Sequence, residues 1–592
     1  MKIVTGCRAT LVAVTLCALG LPALPSAAAA TAVSATAASA SRTATAPAAV
    51  AVARHDARRY VGVQLLSIND FHGYLEPPTG SSGRVVIDDK GTTVDAGGAE
   101  YLATHVRQLR AQREQKHSVM LSTGDNVGAS PLLSALFHDE PTIEFLNLLG
   151  TFASATGNHE YDEGMAELRR LQRGGCHPVD GCFDDDGFGG ARFTYLSANV
   201  TDAKTGRLVM PAYAVKRLER GLKIGFIGMP LKETPTIVTA SGVAGLRFGD
   251  EVKATDRAVR ALRAQGVRAI VLLLHQGDNT EPGAQPNTCQ ELPGPARAIA
   301  EKVHAEVDAV FSAHSHQQYN CVVKDPKGQP RPLIQGASYG RLISEIDLTL
   351  DRRTRDVVRS KTVALNHVVT RDVPKDPRTT RLIEKYRVLA DPIANRVIGT
   401  TTGAVPSTAN AAGESPLGDL IADTHLAATS APATGGAQIA FMNPGGIRNS
   451  IDAGPVTYGE AFAVQPFNNY LVTMTLTGAQ IRTLLEQQFA NPTPTGRRIL
   501  QVSAGFTYSY TWSGSGPATI TDIRLNGTPI DAAASYRVTV NSFLADGGDG
   551  FTVLREGTDR LVGGLDIDAF VAYLQAHDPV TPPPANRITR LG

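Results

Sequence analysis

The chain has almost no net charge: 57 basic and 56 acidic residues nearly cancel over 592 positions. No global field therefore draws it to a nucleic-acid polymer or a membrane surface, and any phosphate recognition has to come from a local site. Beyond the first thirty residues it also lacks an apolar run long enough to cross a bilayer. Internal repeats are absent, and the tail Pro582-Pro-Pro-Ala-Asn-Arg carries no transmembrane or cell-wall sorting signal. Cysteine is scarce, with six residues in all. What remains is an ordinary globular composition, 42% hydrophobic and 19% charged, too long for a single core.

The N-terminus reads as an export signal. Lys2 and Arg8 precede the apolar stretch Ala9 to Leu24, and small residues follow through Ala30. An N-terminal membrane anchor is the alternative. Residues 1–30 are thus expected to be removed, and the Ala/Thr/Ser-rich residues 31–58 to be disordered. The mature protein is expected outside the cell, without a membrane span. Cys7 and Cys17 leave with the signal, so Cys176, Cys182, Cys289 and Cys321 remain. Four cysteines in an exported chain read as two disulfides, and three pairings are possible. Short loops close easily, which favours Cys176–Cys182 with Cys289–Cys321.

From Val61 to about Asn366, apolar strand-like runs alternate with amphipathic stretches. Val61-Gly-Val-Gln-Leu-Leu-Ser-Ile, His117-Ser-Val-Met-Leu-Ser, Lys223-Ile-Gly-Phe-Ile-Gly and Ala269-Ile-Val-Leu-Leu-Leu are expected to be buried strands. Glu100–Glu114 and Glu251–Gln265 are expected helices. The pattern is that of a layered α/β domain. Residues 371–395 read as a charged bridging helix. Beyond them a second domain is expected, with helices at Pro416–Thr429 and Thr477–Phe489. Its β segments fall near Gln501–Trp512, Ile520–Leu525 and Tyr536–Asn541, and Asn526-Gly527 signals a hairpin turn.

Five polar clusters follow expected strands: Asn69-Asp70-Phe71-His72, Gly124-Asp125-Asn126, Gly157-Asn158-His159-Glu160, His275-Gln276-Gly277-Asp278 and His314-Ser315-His316. Each alone is compatible with a cap, a turn or a surface pair. Together they form a donor set. Alternate residues of an extended segment point the same way, so Asp70 with His72, and His314 with His316, are expected to present two ligands to one centre. Carboxylate, imidazole and amide donors without cysteine suit zinc, manganese or iron. A carboxylate such as Asp125 can bridge two divalent ions, which lower the pKa of water to about 7. Asp184-Asp185-Asp186-Gly187 does not have EF-hand spacing and reads as a solvated loop. Asp278 and Asn279 carry no assignment. Glu160 and Tyr161 read as packing positions or supports for the ligands.

The order D-x-H, GD-N, GNHE-x-D, H, H-x-H resembles that of the calcineurin-like metallophosphoesterases, and closely the secreted 5′-nucleotidase/UDP-sugar hydrolase family. The resemblance implies an α/β fold: a four-layer β-sandwich flanked by helices over residues 59–370, a bridging helix at 371–395, and a smaller α+β substrate-binding domain at 396–592. It implies two divalent metal ions, one held by Asp70, His72, Asp125 and His316, the other by Asp125, Asn158, His275 and His314. His159 becomes the candidate general acid, oriented by Asp162. In the second domain Asn443-Pro-Gly-Gly-Ile-Arg448, Gln465-Pro-Phe467-Asn-Asn469 and Asn541-Ser-Phe543 through Asp549-Gly-Phe551 match the family's order. Carried over, Asn443 and Arg448 contact phosphate, Phe467 and Phe543 clamp the base, Asn469 hydrogen-bonds it and Asp549 holds the ribose.

The chain departs from the family twice. Gly413 precedes Glu414 where an arginine is common, so a phosphate-binding cation is missing or supplied elsewhere. Pro444 replaces a glycine and removes one backbone N–H. The expected activity is release of phosphate from nucleotides, with UDP-sugars as further substrates. A 2′,3′-cyclic-nucleotide phosphodiesterase/3′-nucleotidase and a non-catalytic nucleotide-binding surface protein are the alternatives.

Overall fold

The computed structural model describes residues 59–591 apart from 114–116, 184–186, 239–240, 282, 291–292, 468, 491–496 and 515. The expected signal peptide, the segment 31–58 and the acids at 184–186 lie outside the described residues.

In chain order the strands of the two large sheets are β1 (Tyr60–Ile68), β2 (Ser118–Ser122), β3 (Thr151–Ala155), β4 (Thr194–Leu196), β5 (Tyr213–Arg217), β6 (Lys223–Pro230), β7 (Ala269–His275), β8 (Ala309–Ser312), β9 (Gln318–Lys324), β10 (Pro330–Gly336), β11 (Leu342–Asp351), β12 (Asp356–Val357) and β13 (Val363–Val368). One sheet runs β12-β11-β1-β2-β3-β4, with β13 also on β11, and the other runs β9-β10-β8-β7-β6-β5. The helices that cover them are α1 (Ala99–Ala111), α2 (Glu140–Leu148), α3 (Glu251–Ala264) and α4 (Pro295–Lys302).

Strand periodicity explains the layering. Val61, Val63 and Leu65 of β1 share one buried core with Ala269, Val271 and Leu273 of β7, so alternate residues of both sheets face each other. The intervening residues point outward. Leu66 and Ile68 join a core with α1 and α2, and Ile270, Leu272 and Leu274 join one with α3. Each fully buried aliphatic side chain contributes about 1.5–3 kcal/mol, and strands buried on both faces read as continuous apolar runs. Helix α3 shows how sequence sets the ends. Asp250 accepts the Lys253 N–H at its start, and Gly266 takes φ 73° just past its end.

The bridging segment forms a helix only from α5 (Pro377–Ala394), because Asp376 caps it by accepting from the Arg378 and Thr379 N–H groups. Leu382, Ile383, Tyr386 and Ala390 pack it into the first core. Residues 371–376 precede the helix, with Arg371 donating to the carbonyls of Pro78 and Ala96.

The second domain holds α6 (Pro416–Thr429), β14 (Ile439–Met442), β15 (Tyr470–Thr477), α7 (Gly478–Ala490), β16 (Gln501–Val502), β17 (Ser535–Asn541), β18 (Thr558–Leu565) and α8 (Asp566–Ala576). Its sheet runs β16-β14-β17-β15-β18, with α7 in the core on one side and α6 and α8 in another. The expected strand at Gln501–Trp512 is two strands, broken where Gly505 takes φ 86°; Phe506–Thr511 belongs to a separate sheet. Asn526 and Gly527 both have positive φ between Thr519–Leu525 and Thr528–Pro529, as a type I′ hairpin requires.

Cys176 is bonded to Cys182, and Cys289 to Cys321. Beside the first bridge, the His138 ring stacks on His177 at 3.7 Å, with Nδ1 2.9 Å from Glu163 and Nε2 2.8 Å from Asp180. Burial disfavours the charged ring, but the two carboxylates outweigh it and lift His138 to about 9. Because that exceeds the unfolded value of about 6.5, the stabilisation is complete below pH ~6.5 and is lost as pH rises through about 9. His138→Gln is expected to melt below wild type at about pH 6 and level with it near pH 10. Calorimetric melting across that range checks this; a pH-independent gap would contradict it.

Candidate active site

Parallel register gathers the clusters. Ile68 of β1 lies beside Ser122 of β2, and Ser122 beside Ser154 of β3, so the segments leaving these strands run level. Leu274 of β7 likewise lies beside Ser312 of β8, which brings His275 and His314 to the same carboxyl edge. The Asp70 N–H donates to the Gly124 carbonyl and the His72 N–H to that of Asp125, both at 3.0 Å.

The segments are not extended, contrary to the expectation. Asp70 (φ 48°), His72 (φ 47°), Asp125 (φ 48°), His314 (φ 72°) and His316 (φ 58°) all adopt the left-handed region. The shared direction of each pair comes from these turns rather than from strand alternation. Such residues cost about 1–3 kcal/mol each and persist where the surroundings over-determine them. Gly157 has a steric reason as well: a Cβ there would lie 2.1 Å from Asp125 Oδ1 and 2.5 Å from the His275 ring.

Three overlapping groups bring donor atoms within metal-binding reach of one another: Asp70, His72 and His316; His72, Asp125 and His159; Asp125, His275 and His314. Asn158 joins the third, its Oδ1 3.3 Å from His275 Nε2. His72 Nδ1 donates to the Gly128 carbonyl and His275 Nδ1 to that of Thr123, each at 2.8 Å. Those bonds leave each Nε2 lone pair pointing inward. There His72 Nε2 meets His316 Nε2 at 3.2 Å and Asp125 Oδ2 at 3.8 Å, while His275 Nε2 lies 3.0 Å from Asp125 Oδ2. Lone pairs converging on lone pairs repel unless a cation lies between them. The donor set therefore fits divalent metal ions.

The electrostatics agree. Burial drives His72 and His314 down to about 3, which keeps these rings in the neutral, ligating form. Burial lifts Asp70 to about 7, and Asp125 beside it adds to the rise against the pull of His275. Burial would raise Asp125 too, but His275 and His159 hold it well below the usual carboxylate range. His275 itself, despite burial, is raised to about 9 by Asp125.

His159 sits beside these groups. Its N–H donates to Asp125 Oδ1 at 2.9 Å and its Nδ1 lies 2.6 Å from Asp162 Oδ2. Glu160, read from sequence only as a support, has a definite task. Its buried carboxylate accepts from the N–H groups of Asp125, Asn126 and Gly157 and from the Asn126 side chain, tying two of the clusters together.

Across from His159, the second domain forms the other side of a cleft. His159 and Asp162 line one side; Asn443, Arg448, Phe467, Asn469, Phe543 and Asp549 line the other. The Phe467 ring lies 5.9 Å from His159, and Arg448 lies over Phe467 at 5.8 Å. Asp549 accepts from Asn443 at 3.2 Å, and Asn469 accepts from Ser542 at 3.1 Å. The structure thus brings the expected metal ligands together in and beside the three donor groups, and His159 and Asp162 with the expected substrate residues around this cleft.

The calcineurin-like phosphoesterase family matches residues 64–318, and the 5′-nucleotidase C-terminal domain matches residues 397–556. The solved 5′-nucleotidase precursor from Thermus thermophilus superposes with a TM-score of 0.70 at 28% identity, over 90% of this chain and 100% of that one. The chain belongs to the 5′-nucleotidase family. Cell wall protein Lmo0130 of Listeria monocytogenes is 31% identical over 560 residues, 87% of this chain and 67% of that protein. Endonuclease YhcR of Bacillus subtilis is 31% identical over 525 residues, 88% of this chain but only 40% of that protein. The architecture is the two-domain α/β arrangement of the 5′-nucleotidases.

The two departures from the family pattern have local explanations. Gly413 takes φ 84°, and a Cβ there would lie 2.6 Å from Ile499, so no larger residue fits. Pro444 opens a 3-10 turn through Gly446 whose closing bond runs from the Gly446 N–H to the Asn443 carbonyl, so the missing proline N–H is not needed for the turn.

Proposed function

We propose that this chain is an exported dimetal phosphohydrolase that releases phosphate from nucleotides, with 5′-monophosphates as the leading substrates. One observation carries the reading: His159, which shares a donor group with His72 and Asp125, lines a cleft whose other wall presents a cation and two phenylalanines. Asp70, His72, Asp125 and His316 would hold one divalent ion, zinc, manganese or similar; Asp125, Asn158, His275 and His314 would hold the second. When bound, such ions supply Lewis acidity and a water of lowered pKa. The chain's own residues do the rest. Arg448 and Asn443 orient the phosphate, and Phe467 and Phe543 take the base. Asn469 hydrogen-bonds the base and Asp549 the ribose. His159 Nε2 delivers a proton to the leaving oxygen while Asp162 fixes the ring through Nδ1. Export fits two disulfides and the absence, among the described residues, of a helix able to cross a membrane. We place the domain boundaries at 59–370, 371–395 and 396–592.

A second cleft favours nucleoside diphosphate sugars as further substrates. Tyr74, Tyr339, Ser130 and Asn449 line it, and Arg448 borders both clefts. The Tyr74 and Tyr339 rings pack at 4.1 Å, tilted by 32°, and offer an aromatic wall to the cleft that Arg448 also lines. A phosphorus with groups on both sides would reach into each cleft.

A panel of 5′-, 3′- and 2′,3′-cyclic nucleotides, a UDP-sugar and an aryl phosphate tests the proposal. Phe467→Ala is expected to raise KM for a 5′-nucleotide about 10-fold, the worth of about one stacked base, while leaving the aryl phosphate within a factor of about two. Equal losses on both would remove the base-clamp role.

A further inference from the structure

The cation missing at position 413 has a substitute. The space a side chain at 413 would enter is filled by Ile499, and the residue before Ile499 is Arg498. Its guanidinium Nη1 donates to Asp549 Oδ1 at 2.6 Å, and Asp549 lines the cleft. That bond uses one of the five N–H donors a guanidinium carries.

The placement is fixed from behind. The Arg498 backbone N–H donates to the Gln488 carbonyl, and the next residue but one, Leu500, donates to the Gln488 side chain. Asp549 is held from its other oxygen by Asn443 Nδ2, which the proposed function places on the phosphate. Arg498, Asp549 and Asn443 therefore form one hydrogen-bonded row from three separate segments, ending where phosphate is expected.

We infer that Arg498 is a phosphate-binding residue of this site, acting on the phosphate together with Arg448 from the end of the row that Asp549 and Asn443 form. The inference rests on the proposed metal-centred site but not on the identity of the esterified group. A guanidinium braced by one carboxylate keeps its planar donor face for a phosphate oxygen pair. The Asp549 pair also places the arginine without a covering side chain at 413.

Binding of inorganic phosphate to the metal-loaded enzyme, followed by calorimetry, tests this apart from turnover. Arg498→Gln is expected to weaken phosphate binding about 10- to 100-fold, the range for a lost charge-assisted contact, and to lower kcat/KM similarly on a 5′-nucleotide and an aryl phosphate. Metal content and inhibition by the free nucleoside should stay at wild-type levels, and Arg498→Lys should recover part of the loss. Unchanged phosphate binding in Arg498→Gln would overturn the inference. So would a loss confined to nucleoside affinity, which would make Arg498 only a brace for Asp549. Failure of the nucleotide reading looks different: the wild type would ignore the nucleoside, while the effect of Arg498→Gln on phosphate would remain.

Discussion

Replacing His159 by alanine is expected to leave the metal content intact and to lower turnover about 10²- to 10⁴-fold, the usual worth of a positioned general acid. The ring lines the cleft, and no assigned ligand is lost with it. In the proposed mechanism its imidazole contributes proton delivery and charge, while the backbone N–H that holds Asp125 Oδ1 survives the substitution. Asp162 is the control. Its carboxylate meets only the Nδ1 side of the ring, so Asp162→Asn should cost less than His159→Ala. The loss should also shrink for substrates with a good leaving group, such as a nitrophenyl phosphate, which need little protonation. A variant that kept wild-type turnover on a poor leaving group, or that lost metal, would refute the assignment.

Asp125→Asn is expected to have the largest effect of any single change. Asp125 is common to two of the donor groups and approaches both His72 and His275. Asparagine keeps the shape, and an oxygen can still accept the His159 N–H, so the local fold is preserved. What disappears is the negative charge on which both cations of the proposed centre would depend. Metal content should fall from two equivalents to one or fewer, and turnover by more than about 10³-fold. Far-UV circular dichroism should remain that of the wild type. Retention of both metals with normal turnover would remove Asp125 from the centre.

The contrast between what was legible in the sequence and what was not has physical reasons. Strands buried on both faces, such as β7, are apolar throughout, and the polar cluster beginning at His275 starts where the strand stops. That change in composition reveals both the strand and the carboxyl edge. Ends of helices were readable where a cap is a single residue type, as at Asp250, and misplaced where the cap lay inside a charged stretch, as at Asp376. Backbone conformation left no comparable trace. Nothing in Asp70-Phe-His72 distinguishes an extended segment from two left-handed residues, and the second is correct. Partners supplied by main-chain carbonyls, such as those of Thr123 and Gly128 that fix the imidazole tautomers, have no side-chain signature at all. Glu160 was visible as a position but not as a task, because three of its four hydrogen bonds come from N–H groups of Asp125 and Asn126, distant in sequence, and the fourth from the backbone of Gly157, which has no side-chain signature. Arg498 stood in a polar segment that matched no motif. It became meaningful only when Ile499 was found filling the space beside Gly413.

The central claim is a pair of cations held across Asp125 beside a nucleotide cleft. Metal analysis of the purified protein, coupled to phosphate release from a 5′-nucleotide before chelation, after it and after metal is restored, tests that claim most directly. The account predicts two equivalents of divalent metal per chain, loss of activity on chelation and its return as the second equivalent is restored. Undiminished phosphate release from protein stripped of metal would contradict it.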